Sequence, residues 1–321
     1  MHSFKELVTD FGARFATRHF PAAPASLYEP AEYFLSWGGK RIRPVMCLMG
    51  NELFGDIQPD TYEVATAIEL FHNFTLIHDD IMDQAPLRRG METVHMKYGS
   101  NTALLTGDVM MIRAYEHLNT ISGHYLSRII QLFNKTAREV CEGQQLDIDF
   151  ETMPDVSMDA YLQMIGLKTS VLLAASLEMG AIISGTSEGN CRHIYEFGKN
   201  LGIAFQVQDD YLDVFGDPEK FGKETGGDIR QNKKTFLLLH AMEVANADQK
   251  QQLQQLLQTE APGKVQAVLQ IFKACNADAW AVELKEKYLQ TALHHLDEIA
   301  VLSSRKKPLL ELAEFLVQRE Y

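Results

Sequence analysis

Two short stretches hold residues whose types and spacing could do chemistry together. Leu76 to Asp83 reads LIHDDIMD, and about 130 residues later Gln206 to Asp213 reads QVQDDYLD, so Asp-Asp-x-x-Asp occurs twice in apolar, helix-period sequence. On an α-helix, residues four apart lie about 40° apart in projection and adjacent ones about 100°. Asp79, Asp80 and Asp83 therefore share one face, as do Asp209, Asp210 and Asp213. Such a stack repels itself by roughly 0.2–0.5 kcal/mol per pair. Hard divalent cations, which take oxygen ligands and keep some waters, relieve that repulsion best. A solvated acidic face is the ordinary reading of one such triplet. Against it, Phe71, Phe74, Leu76, Ile77 and Ile81 surround the first, and Phe205, Val207, Tyr211, Leu212, Val214 and Phe215 the second. Carboxylates among such core-like residues need partners.

The basic residues say what the metals hold. Gly38 to Pro44, GGKRIRP, is a Gly-rich turn carrying Lys40, Arg41 and Arg43 into a helix start, where backbone can approach a ligand closely and guanidinium forks suit phosphate oxygens. Taken alone it is a basic turn. His72 lies seven residues before Asp79, about 20° away and about 10 Å along the axis; taken alone it is a core histidine. Arg88 and Arg89 follow the first triplet, and Pro86 ends its helix, so the pair can curl back over the helix end. Lys168-Thr169 interrupts an apolar helical stretch, MIGLKTSVLLAAS, which is harder to explain as structure. Lys223 and Lys233-Lys234 follow the second triplet in a loop rich in Gly and Asp, where solvated lysines are common. Together these features call for an anionic ligand. Diphosphate leaving carbon concentrates charge that divalent ions and fixed cations stabilise strongly in a dry site.

Long helices must position these groups. Apolar periodicity and turn signals predict helices near 2–18, 25–37, 41–53, 60–83, 101–118, 125–149, 158–184, 188–215, 232–258, 262–274, 278–299 and 307–319, with few period-two strands. The expectation is an all-α protein, a large antiparallel helix bundle around a central cavity, with the two Asp-rich helices facing one another across it. With 321 residues, 46% hydrophobic, and no linker-like stretch, residues 1–321 are expected to form a single domain. A net charge of −13 argues against a nucleic-acid partner. No signal pattern and no uninterrupted apolar run of about 18 residues is seen, so a cytoplasmic protein without a membrane span is expected. Cys47, Cys141, Cys191 and Cys275 are scattered without a CxxC pair, which suggests neither a zinc site nor a disulfide framework.

From GGKRIRP through HDDIMDQAPLRRG and KTS to FQVQDDYLDVFGD and DIRQNKKT, nearly the whole chain resembles the trans-isoprenyl diphosphate synthases, or polyprenyl synthetases. The resemblance implies a helix bundle paired as a homodimer that joins isopentenyl diphosphate to an allylic diphosphate with three Mg²⁺ ions. It implies Asp79, Asp83 and Asp209 as Mg²⁺ ligands, with Asp80, Asp210 and Asp213 orienting waters or metal-bound groups and Asp80 and Asp213 counted in the metal cluster. It assigns Lys40, Arg43, His72 and Arg89 to the isopentenyl diphosphate, and Arg88, Lys168, Lys223 and Lys233 to the allylic diphosphate. Thr169 and Gln206 would line the reacting carbons. The implied mechanism is ionisation, condensation and elimination, without a histidine base.

Product length would depend on the residues below the first motif. Phe74, Thr75 and Phe71 lie five, four and eight residues before Asp79, about 7.5, 6 and 12 Å down the helix. In the family, a bulky aromatic there stops growth early. Phe74 with Thr75, and the short form of the first motif, point to a farnesyl or geranylgeranyl product, the latter preferred. If Phe74 only packs against a neighbour, a longer polyprenyl product is the alternative. A class I terpene cyclase would not need GGKRIRP or a second DDxxD, and a non-catalytic subunit usually loses its Asp-rich motifs.

Overall fold

The helix signals in the sequence become helices with a few instructive exceptions. The computed structural model describes residues 1–216, 226–258 and 263–318. Its helices are α1 (Phe4–Phe15), α2 (Ala25–Leu35), α3 (Ile42–Glu52), α4 (Pro59–Met82), α5 (Val94–Tyr98), α6 (Ser100–Leu118), α7 (Gly123–Thr152), α8 (Met158–Ile165), α9 (Val171–Ile183), α10 (Glu188–Phe215), α11 (Gly227–Arg230), α12 (Phe236–Val244), α13 (Ala247–Leu257), α14 (Lys264–Ala274), α15 (Ala277–Asp297) and α16 (Ser303–Gln318). A two-residue hairpin, β1 (Leu87–Arg88) with β2 (Met91–Glu92), follows α4. The protein is all-α, as expected.

Two helices divide where the sequence pattern ran on. The stretch near 232–258 breaks into α12 and α13 because Ala245 is extended and Asn246 caps α13, its side chain accepting from the Gln249 amide in a reciprocal capping box. The stretch near 158–184 contains a π-helical turn at Gly166–Ser170, which bears Lys168 and Thr169. Such turns recur at functional sites. The helical stretch Met158–Ile183 is long and apolar enough to cross a membrane, and most of it is buried inside the protein.

The chain forms two compact units. The first comprises Met1–Phe133, Ser176–Cys191 and Val301–Pro308; the second comprises Asn134–Ala175, Arg192–Ala300 and Leu309–Tyr321. In the first, α4 packs on α3 and α6 and buries Val64, Ala65, Ile68, Leu70, Phe71 and Ile77. Pro59 starts α4 without sacrificing a helix hydrogen bond, and Gln84, at φ 49°, turns the chain out of it before Pro86. Backbone contact fixes a second crossing here. A Cβ on Gly180 would lie 2.0 Å from the Cys47 carbonyl oxygen, and one on Gly50 2.2 Å from that of Leu177.

In the second unit, Tyr161, Met164, Ile165, Ile203, Val207, Val214, Phe236 and Phe272 belong to one apolar core. The π turn approaches α7 and α10 at glycines. A Cβ on Gly143 would sit 2.3 Å from the Lys168 amide nitrogen, and one on Gly202 2.8 Å from Ser170 Cα.

Candidate active site

In the first unit the Gly-rich turn, α4 and the hairpin meet. Arg41 takes a left-handed conformation, φ 51°, at the start of α3, where its guanidinium pairs with buried Glu69 of α4. Asn73 Nδ2 donates to Glu69 Oε1 at 3.1 Å. Arg43 Nη1 lies 3.2 Å from His72 Nε2. Burial pushes the Arg43 pKa down to about 10. Burial, reinforced by Arg43, Arg89, Arg88 and Arg41, holds His72 well below its ordinary range, so the ring is neutral among four guanidiniums. Arg43 Nε is itself buried without a hydrogen-bond partner. This group has the chemistry of an anion site.

The hairpin delivers the next two arginines. Arg89 and Gly90 both have positive φ, as a two-residue turn between twisted strands requires. Arg89 donates to the Gly38 carbonyl, and a Cβ on Gly39 would come within 3.0 Å of its guanidinium. Arg88 turns back onto α4, its Nε 2.8 Å from Asp80 Oδ1. Asp80 is 1% exposed, and burial raises its pKa against the opposing pull of Arg88. Its Oδ2 is buried and accepts no hydrogen bond. Asp79 and Asp83 complete the face on α4, Asp83 as the C-cap, and Lys40 is exposed just before Arg41.

Below this motif Phe71 is buried against Phe133, ring centroids 5.3 Å apart. The half-buried Phe74 ring lies 5.7 Å from that of Phe71 and 4.7 Å from that of His78. Thr75 Oγ1 turns back to donate to the His72 carbonyl at 2.8 Å.

The second unit holds the other half of the predicted residues. Asp209, Asp210 and Asp213 sit on the last turns of α10. Gln206 Nε2 donates to Asp210 Oδ1 at 2.9 Å, and Thr169 Oγ1 lies 3.3 Å from Gln206 Oε1. The Tyr161 hydroxyl donates to Asp210 Oδ2. Asp213 Oδ2 accepts from the Asp228 amide at 2.9 Å. Burial and then Asp228 raise the Asp210 pKa; burial and then Asp213 raise that of Asp228. Lys233 Nζ lies 3.7 Å from Asp228 Oδ1, and Lys168 Nζ 2.5 Å from Asp147 Oδ2. Lys234 instead donates to the Phe150 carbonyl at 2.6 Å. Lys223 lies outside the described residues.

Both clusters suit divalent ions by their donor chemistry. Carboxylates that repel one another, together with a buried carboxylate oxygen lacking a donor, are relieved by a bound cation. Among the described residues, no three His, Cys, Asp or Glu side chains form a ready metal cage.

Sequence reasoning missed several residues. Asp147, Tyr161 and Asp228 each touch a predicted site residue, while Glu69 and Asn73 fix Arg41. Asp228 stands inside DIRQNKKT and had a motif signal; Tyr161 reads as one more apolar-face aromatic.

A family model described as polyprenyl synthetase matches residues 24–275. A geranylgeranyl diphosphate synthase of Sulfolobus acidocaldarius is 36% identical over 300 residues, covering 91% of each chain. A crystal structure of a geranylgeranyl pyrophosphate synthase superposes with a TM-score of 0.95 at 44% identity, covering 100% of both chains. A polyprenyl synthase from Caulobacter crescentus, solved in complex with calcium and isoprenyl diphosphate, has a TM-score of 0.87 at 28% identity, covering 99% of this chain and 98% of that one. These matches span the motifs whose geometry is given above, and the chain belongs to the polyprenyl synthetase family and is a prenyltransferase.

Proposed function

We propose that the protein is a short-chain synthase that condenses isopentenyl diphosphate with allylic diphosphates to give geranylgeranyl diphosphate. The observation that carries this reading is the meeting of the Gly-rich turn and the hairpin on α4, with Arg43 on His72, Arg41 on Glu69, Arg89 on the Gly38 carbonyl and Arg88 on Asp80, beside Asp79 and Asp83 at the end of that helix. It supplies anion binding and carboxylate chemistry within one unit. Lys40, Arg43, His72 and Arg89 bind the diphosphate of the isopentenyl substrate. Arg88, Lys168 and Lys233, with Lys223, bind that of the allylic substrate. Asp79, Asp83 and Asp209, with Asp80 and Asp213, would hold three Mg²⁺ ions, which would supply Lewis-acid stabilisation of the departing diphosphate. Asp210 fixes Gln206, and Gln206 with Thr169 lines the reacting carbons.

The allylic C–O bond breaks, the double bond of the second substrate attacks the allylic carbon, and the proton lost passes to the departing diphosphate. Phe74 limits chain growth, and Thr75, turned onto the backbone of its own helix, leaves room beside it. We also propose a single-domain, cytoplasmic homodimer; α6 offers the exposed Leu104, Leu105 and Ile112 as a face for a second copy.

The test incubates the purified protein with Mg²⁺, labelled isopentenyl diphosphate and dimethylallyl, geranyl or farnesyl diphosphate, followed by hydrolysis and sizing of the alcohols. Twenty-carbon alcohol is expected. Hydrocarbon released from the allylic substrate alone, without elongation, would replace this reading with a cyclase. Asp79→Ala and Asp209→Ala should each abolish turnover with folding retained; near wild-type rates at saturating Mg²⁺ would remove both from the ligand set.

A further inference from the structure

In the second unit four side chains form one hydrogen-bonded line. Thr169 Oγ1 meets Gln206 Oε1 at 3.3 Å, Gln206 Nε2 meets Asp210 Oδ1 at 2.9 Å, and Asp210 Oδ2 meets the Tyr161 hydroxyl. They come from three places: Tyr161 from α8, Thr169 from the π turn, Gln206 and Asp210 from successive turns of α10. Tyr161 is 4% exposed and Asp210 6%. A side-chain amide has two nearly identical ends, and only its surroundings decide which way it faces. Here every donor points toward Asp210. The carboxylate takes the amide N–H₂, which leaves the amide oxygen for the Thr169 hydroxyl.

We infer that Tyr161 is a positioning residue of the condensation, anchoring Asp210 so that Gln206 and Thr169 hold a single orientation toward the reacting carbons. This rests on the function proposed above. The Asp210 carboxylate has two oxygens; one is committed to Gln206, and Tyr161 commits the other. Without the hydroxyl, a buried oxygen loses its donor and the carboxylate rotates to recover one. The partner of Gln206 Nε2 is then lost, and the amide is free to turn. Tyr161 itself packs in the core, its ring 6.4 Å from that of Phe236, and acts only through Asp210.

Tyr161→Phe removes the hydroxyl and keeps the ring. Loss of a residue that orients a site group typically lowers activity about 10- to 100-fold. We expect that fall in kcat, with KM for isopentenyl diphosphate within about threefold of wild type. Combined with Gln206→Ala, the effects should not multiply, because both act on one line. Calorimetry of Mg²⁺ with inorganic diphosphate should give the same affinity for Tyr161→Phe as for wild type. An unchanged kcat, a multiplicative double variant or lost diphosphate binding would each overturn the inference. If Tyr161→Phe does not fold, 4-aminophenylalanine and 4-methylphenylalanine at position 161 are compared; they match in bulk and differ in the donor, and equal kcat overturns the inference. A wild-type protein that does not elongate sinks the function itself, and the role of Tyr161 with it.

Discussion

Single side chains here carry separable duties. Arg89 reaches the Gly38 carbonyl from the hairpin turn and stands among the cations around His72. Arg89→Ala should raise KM for isopentenyl diphosphate more than KM for the allylic substrate, and steady-state kinetics with each substrate varied in turn decides it. Phe74 is held in place by rings of its own helix rather than sealed in the core, unlike Phe71. Phe74→Ala should shift the sized alcohols beyond twenty carbons, and an unchanged distribution would remove Phe74 as the stop. The Asp triplets, the arginines and the KT pair were legible in the sequence because charge in an apolar helical context is conspicuous. Glu69, Asn73 and Tyr161 were not, since each satisfies a partner brought close only by folding, and nothing in their own spacing marks them.

At the scale of elements, long periodic helices were legible and interruptions were not. A π turn changes the hydrogen-bond count by one residue and leaves the apolar pattern of MIGLKTS almost intact. Its place between Gly143 and Gly202 is a matter of two backbones approaching, which no local pattern encodes. Gly143→Ala would put a methyl 2.3 Å from the Lys168 amide nitrogen, and overpacking of this kind typically costs about 1–3 kcal/mol. Both the urea midpoint and kcat should fall, since the turn that moves carries Lys168 and Thr169. Loss of stability with kcat intact would show that the turn tolerates displacement. The break at Asn246 could have been found from its capping box with Gln249.

For the whole molecule, stability should depend on pH through groups buried in opposite senses. Burial lowers the pKa of His19 and, with the neighbouring arginines, that of His72. The native state then binds fewer protons than the unfolded chain, so the contribution of these rings is full above about pH 6.5 and is lost as pH falls toward their folded values. Asp210 and Asp228, with raised pKa values, act in reverse: their contribution declines as pH rises through the folded values. Between about pH 7.5 and 5.5, wild type should lose more urea resistance than the double variant His19→Gln/His72→Gln; parallel curves would contradict the buried-neutral assignment. A last consequence follows from Arg41, locked against Glu69 and stacked over Phe15 with its guanidinium carbon 4.7 Å from the ring centroid. Of the chain's 30 lysines and arginines, Lys40 and Arg41 stand in the turn that this contact holds in place before α3, so trypsin should be slow to cut after Lys40 or Arg41 even in protein free of substrate, and adding diphosphate should change that cleavage little.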